Sequence, residues 1–160
     1  MNANLNRLDA FDVVGIAVRT SNQQEMGPGG KIPQAWAQLF RGQILDRIPG
    51  KIDGNIIAVY CDYESDKDGA YTYLLGARVA PGTAVPGDLS YWRVPAGSYA
   101  VFTTERGAMP QVLIDTWMHI WNLDPTQPGG NRAYQADFEL YDERSRDPND
   151  AQVDVYIGVR

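Results

Sequence analysis

An α+β domain built of two similar halves, each running strand, helix, strand, strand, is the fold class this sequence predicts, on three observations. Ile32-Pro33-Gln34 in the first half answers Met109-Pro110-Gln111 in the second. Proline suits a first helical turn, because its missing N–H would have had no intrahelical acceptor there. Tyr73-Leu74-Leu75-Gly76-Ala77-Arg78 then aligns without gaps with Val155-Tyr156-Ile157-Gly158-Val159-Arg160. Between these markers each half offers one apolar stripe at helical spacing and a pair of strand-like runs, the pattern of a repeated supersecondary unit. The repeats cover about residues 10–80 and 89–160, and the chain is expected to be a single domain over 1–160.

The opening strand is expected over 13–19. The first helix is expected over 33–46, where Trp36, Leu39, Phe40 and Ile44 recur at spacings of three and four and Pro49-Gly50 ends the run. Strands over 56–63 and 71–79 follow, joined by the polar loop 65–69. In the second half Val101, Phe102, Thr103 and Thr104 favour a strand over 98–105, which residues 89–94 begin before Pro95-Ala96-Gly97 bends it. The second helix, over 110–122, sets Leu113, Trp117, Ile120 and Trp121 along one side, and Asp124-Pro125 marks its exit. Strands over 134–141 and 152–159 close the half around the loop 144–150. Gly27-Pro28-Gly29-Gly30 looks like a phosphate loop only superficially. It lacks the Gly-Lys-Ser/Thr ending, so with Lys31 it reads as a flexible connector.

Composition narrows the function classes. A chain of 160 residues, 44% hydrophobic and 21% charged, can bury one substantial core. No apolar stretch approaches the roughly 18 residues of a membrane span, and residues 1–10 lack a basic start followed by an apolar run, so a cytoplasmic protein is expected. Cys61 is the single cysteine and His119 the single histidine, which excludes an internal disulfide and the usual cysteine or histidine metal sites; no metal or cofactor is expected. Residues 1–80 hold 9 acids against 8 bases, and residues 81–160 hold 11 against 6, for a net charge of -6. Such a surface repels phosphate backbones, so direct nucleic-acid binding is not expected. A Cys61–His119 dyad is arithmetically possible, but Val59-Tyr60-Cys61 is an apolar strand in which a cysteine behaves as a small buried hydrophobe. The chain is therefore read as a binding protein rather than an enzyme.

Glu139 carries the functional argument. Charged residues are mostly exposed, and an acid on a strand ordinarily faces water or a Lys or Arg. This one sits in Phe138-Glu139-Leu140-Tyr141, where alternation gives Glu139 and Tyr141 a common face. The repeat sets Tyr60 at the corresponding position of the first half, and Tyr156 would join the same surface if the last hairpin pairs the two faces. Taking a carboxylate out of water costs several kcal/mol, roughly, unless a partner is present. An organic cation can be that partner, and surrounding ring faces attract it by about 0.5–2 kcal/mol each. The enzymatic alternative is a carboxylate pair of Glu139 with Asp137 on the same face or with Asp154 on the last strand. The run Val153-Val155-Ile157-Val159 packs under the helices; if the opposite sheet face is left bare, a homodimer partner would cover it.

The paired halves, together with Thr116-Trp117-Met118-His119-Ile120-Trp121, Phe138-Glu139-Leu140-Tyr141-Asp142 and Val155-Tyr156-Ile157-Gly158-Val159, resemble the GyrI-like, AraC-type effector-binding domain of bacterial multidrug-responsive regulators. The resemblance spans residues 10–160. It implies a curved, mostly antiparallel sheet of eight strands with two helices and a cleft for hydrophobic cations, the strand acid at its floor. By motif that acid is Glu139, the tyrosine of the closing strand is Tyr156, and Trp117 is the aromatic of the second helix, with Trp36 at a similar place in the first. Tyr60 is added from the internal repeat, Tyr141 from the shared strand face, and Trp121 and Trp92 from aromatic content. Residues 1–9 have no room for a helix-turn-helix, so the chain is similar to stand-alone members of the family, among them cationic-drug binders carried on integron gene cassettes. Asn122-Leu123-Asp124-Pro125 stands where the family has Trp-Leu-Pro, and a different pocket rim is expected. The implied partner is a hydrophobic organic cation. Docking on a protein, as in gyrase-inhibiting relatives, and hydrolysis of a reactive small molecule are the alternatives.

Overall fold

The structure, a computed structural model, describes residues 3–160. Its strands are β1 (Asn4–Leu8), β2 (Phe11–Ser21), β3 (Ile56–Cys61), β4 (Ala70–Val79), β5 (Ser90–Val94), β6 (Gly97–Thr103), β7 (Arg132–Tyr141) and β8 (Asp154–Val159). They form one sheet in the order β1-β6-β8-β7-β3-β4-β2-β5, with every neighbouring pair antiparallel. The helices are α1 (Asn22–Glu25), α2 (Ile32–Arg41), α3 (Ile44–Arg47) and α4 (Gln111–Trp121). The α+β class and the eight-stranded antiparallel sheet match the expectation.

The helix count does not. The helix expected over 33–46 breaks at Gly42 and Gln43, the latter left-handed with φ 50°, and continues as the single turn α3. The short α1 was not foreseen; the Ser21 hydroxyl accepts from the Gln24 N–H and caps it. Strand β1 was also missed. Four of its five residues are exposed, so it carries no apolar alternation and is held by its pairing with β6.

That pairing shows how the halves are joined. Residues 9–10 link β1 to β2, yet β1 pairs with β6 of the second half, while β5, linked to β6 by residues 95–96, pairs with β2 of the first. Each half thus lends its leading strand to the other. In a flat sheet six strand spacings, about 29 Å, would separate β1 from β2, whereas the short link can span only about 10 Å. The sheet therefore curls until its ends approach.

Curling covers the face away from the helices. Val13, Ile57, Val59, Leu74, Val94 and Phe138 are all at most 4% exposed there, with Leu8, Phe11, Trp92 and Tyr156 packed against them. The apolar face that suggested a homodimer is filled by the chain itself. Tight curvature needs close backbone approach: a Cβ on Gly76 would lie 2.0 Å from the Val14 carbonyl oxygen, and one on its repeat counterpart Gly158 would lie 2.7 Å from that of Ala136. The opposite face packs under the helices, with Leu39 and Ala35 of α2 on Val14, Ile16, Leu75 and Ala77, and Trp117 and Ile120 of α4 on Ala100, Phe102, Val155 and Ile157. Phe40, assigned to the first apolar stripe, is instead 59% exposed.

Candidate functional site

Strands β3 and β7 lie side by side in the middle of the sheet and carry corresponding residues of the two halves. Tyr60 stands opposite Tyr73 in one hairpin, and Glu139 opposite Val155 in the other. Because the repeat aligns Tyr73 with Val155, Tyr60 and Glu139 are equivalent, as are Ala58 and Asp137. Across the join, Ala58 pairs with Glu139 and Tyr60 with Asp137. All four side chains point to the helix face, and the small Ala58 leaves room beside the carboxylate.

Glu139 is completely buried. Its Oε2 accepts from the Tyr60 hydroxyl and from Trp117 Nε1, each at 2.7 Å, and its Oε1 accepts from the Tyr141 hydroxyl at 2.6 Å. All three donors are neutral. Among the described residues no Lys, Arg or His forms an ion pair with it. Burial pushes the Glu139 carboxyl above its ordinary pKa, and the bonds from Tyr141, Tyr60 and Trp117 offset only part of that shift. Burial and the nearby carboxylate hold Tyr60 and Tyr141 well above the usual phenol value, so both remain protonated donors.

The second buried acid, Asp137, is treated differently. It is also 0% exposed, but Arg132 Nη2 lies 2.5 Å from its Oδ2 and the Gly158 N–H donates to its Oδ1 at 2.9 Å. Tyr63 donates to it as well. A break in the β7–β8 register between Arg132 and Asp137, with Tyr134 at φ 52°, brings Arg132 back over the acid. Asp137 is thus neutralised from within and Glu139 is not. Asp154 pairs with Leu140 on the far side of the strand and is held by Arg144 and Thr103, so it forms no pair with Glu139.

Aromatic rings surround Glu139. The Tyr60 ring lies 5.0 Å from Trp117, 5.2 Å from Tyr73 and 5.3 Å from Tyr71. Trp36 packs edge-on to Tyr141 at 4.8 Å and donates from Nε1 to the Tyr73 hydroxyl at 2.9 Å. Above this cluster is a narrow cleft with only about 30 Å³ of free space, lined by Tyr60, Tyr63, Tyr71, Trp117, Trp121 and Arg132, with Asn22 and Lys67 also on its walls. Glu139 lies beneath Tyr60 and Trp117, which roof it from the cleft.

Of the residues singled out from the sequence, Trp36, Tyr60, Trp117 and Tyr141 meet around Glu139, and Trp121 lines the cleft 6.3 Å from the Trp117 ring. Two do not join them. Tyr156 pairs with Phe138, not Glu139, and stacks on that ring at 4.4 Å on the opposite sheet face. Trp92, on β5, packs into the same opposite cluster because its strand aligns it with Val13. Tyr71, Tyr73 and Arg132 were missed. The two tyrosines alternate on β4 with the parity that faces Tyr60, a signal visible once the hairpin register is known.

The remaining motifs have structural occupations. Glu25 accepts from the Lys31 and Ile32 backbone N–H groups at 2.8 and 3.0 Å, so a carboxylate of the chain satisfies the start of α2 behind the glycine-rich loop. Lys31 Nζ donates to the Arg19 carbonyl. Burial pushes the Cys61 thiol up to about 12, and Cys61 and His119 lie on opposite faces of the sheet. A hollow beside Asp12 holds an acid already paired with Arg93 and Tyr91. Among the described residues no cluster of three potential metal ligands occurs, and no helix is long and apolar enough to cross a membrane.

The profile of the Cass2 family, described as integron-associated effector binding protein, matches residues 4–159. The chain belongs to that family. Among Cass2-like solved structures, the integron cassette protein VCH_CASS2 from the mobile metagenome of Vibrio cholerae superposes with a TM-score of 0.75 at 30% identity, covering 99% of this chain and 96% of that one. SAV2435, solved with tetraphenylphosphonium bound, shares the fold at a TM-score of 0.66 and 18% identity, over 100% of this chain and 94% of its own. YobU of Bacillus subtilis, named for transcriptional regulation, is 32% identical over 99% of this chain and 98% of its length. The transcriptional regulator BrlR of Pseudomonas aeruginosa is 32% identical over 99% of this chain, which spans 56% of BrlR. The GyrI-like resemblance leads to the same group.

Proposed function

We propose that this chain binds hydrophobic organic cations, with Glu139 as their counter-charge. The observation that carries the reading is the contrast between the two buried acids: Asp137 has Arg132, while Glu139 has only neutral donors and a raised pKa. A charge buried without an opposite charge costs several kcal/mol, roughly, and a ligand cation supplies what the fold omits. Rings of Tyr60, Trp117, Tyr71 and Tyr73 offer apolar contact and cation–π attraction on the way. Because Tyr60 and Trp117 roof the acid, a ligand descending from the cleft displaces one of them from Glu139 and takes over its charge. The bound tetraphenylphosphonium of SAV2435, a protein of this fold, is a ligand of the same chemistry. The names of YobU and BrlR favour a regulatory use of such binding.

A titration followed by tryptophan fluorescence tests it. A biphenyl carrying a trimethylammonium group should bind in the micromolar range, and its neutral tert-butyl isostere at least about tenfold more weakly, the equivalent of 1.4 kcal/mol. Equal affinity for the two, or an unchanged cation affinity in Glu139→Gln, would refute the counter-charge role.

A further inference from the structure

The cleft above Glu139 has polar features that a cation does not explain. Arg132 and Trp121 both line it, and each holds a buried N–H without a partner: Arg132 Nε and Trp121 Nε1. Arg132 is only 7% exposed, so its orphan Nε is held away from bulk water. Buried donors are nearly always paired, and leaving one unmade costs about 1–3 kcal/mol. Two of them at one cleft mark a place where an acceptor belongs.

Their position relates to Glu139 through one ring. Trp117 gives its Nε1 to Glu139, while the Arg132 guanidinium carbon lies 5.8 Å from the Trp117 ring centre and the Trp121 ring 6.3 Å from it. The residues that carry the unpaired donors therefore flank the same indole whose N–H reaches the acid. Arg132 does not make this region positive, because Asp137 already balances its charge. Burial weighs against the Arg132 cation, and Asp137 and Tyr63 more than offset it. A second carboxylate here would compete with Asp137 for the guanidinium, whereas an uncharged oxygen would not.

We infer that the cleft contains an acceptor subsite, formed by Trp121 Nε1 and Arg132 Nε, for a carbonyl oxygen of the ligand. The preferred ligand is then a hydrophobic cation bearing a ketone, ester or amide about one indole ring away from its charge. The inference rests on the cation reading above and adds a polar selectivity to it.

The test compares benzyltriphenylphosphonium with its 4-acetylbenzyl analogue, which have the same charge and differ by one carbonyl-bearing group. Dissociation constants are measured by calorimetry on the full chain for the natural sequence, Trp121→Phe and Arg132→Lys, and the ratio of the two affinities is the readout. The natural protein should favour the acetyl compound about threefold to tenfold, the net value of about one hydrogen bond. That ratio should fall towards one in Trp121→Phe, whatever happens to the absolute affinities; Arg132→Lys keeps the charge beside Asp137 while removing the guanidinium Nε, and should lower the ratio too. If both cations bind the natural protein equally, water or nothing meets these donors, and the acceptor subsite is wrong while the counter-charge role stands. If the preference survives undiminished in both variants, the carbonyl binds elsewhere and the inference is overturned. If neither cation binds, the reading of Glu139 fails and the subsite fails with it.

Discussion

The first half of the molecule places Ala58 and Tyr60 on the helix face of its central strand, and the second half places Asp137 and Glu139 at the equivalent positions. The scaffold around them is shared. Trp36 and Trp117 come from corresponding helices and both donate an indole N–H to the floor, but Trp36 meets the phenol of Tyr73 while Trp117 meets a carboxylate. The walls are alike in the two halves and the chemistry differs in one half only. The changed half still depends on the other, since Tyr60 of the first half donates to Glu139 of the second across the central strand pair. The candidate site thus forms from two similar surfaces that are unequal in chemistry.

The largest expected effect separates the two acids. Asp137→Asn removes the charge that balances buried Arg132 and should destabilise the fold by about 3–5 kcal/mol in urea denaturation. Glu139→Gln, which strands no cation, should cost far less; a similar loss in both variants would erase the distinction on which the proposed function stands. Next in size, Glu139→Gln should weaken binding of the trimethylammonium probe about 30-fold, the counterpart of roughly 2 kcal/mol for a desolvated charge pair. Tyr60→Phe, its first-half counterpart, removes one neutral bond and should change the same affinity by no more than about tenfold.

Acidity probes the same inequality. The Glu139 pKa is raised in the folded chain, so its contribution to stability is complete below the unfolded value and is lost as pH rises through the folded one. Relative to Glu139→Gln, the unliganded natural protein should therefore lose stability as pH rises through that range in thermal denaturation. Cation affinity should move the other way, weakening as the medium is acidified, because a proton competes for the same carboxylate. The smallest effects are expected from Trp36→Phe, about 1 kcal/mol of stability through the lost Tyr73 bond, and from Tyr156→Phe, with no change in cation binding beyond error. A marked loss of binding in Tyr156→Phe would mean that the sheet face opposite the helices takes part.

Much of this arrangement can be read from residue order. Strand alternation joins Glu139 to Tyr141, the gapless repeat finds Tyr60, and the helical stripe finds Trp117 and Trp36. Tyr156 shows where such reading stops: alternation fixes which residues of one strand share a face, but register decides which face meets a neighbour, and β8 sets Val155 rather than Tyr156 beside Glu139. Arg132 was hidden for another reason. Its approach to Asp137 needs an irregular stretch with Tyr134 left-handed, which strict alternation cannot express. Exposed β1 has no apolar signature at all, and Trp92 was misplaced because β5 belongs in space to the half it precedes in no sequence sense.

The lending of β1 and β5 between the halves ties each half to the other along the chain. Severed within the connection 80–89, neither fragment would own all the strands that seal its edge: the first would lack β5 beside β2, and the second would lack β1 beside β6. Each is the missing part of the other. Two such fragments expressed side by side have reason to reassemble into the one sheet that neither can close alone.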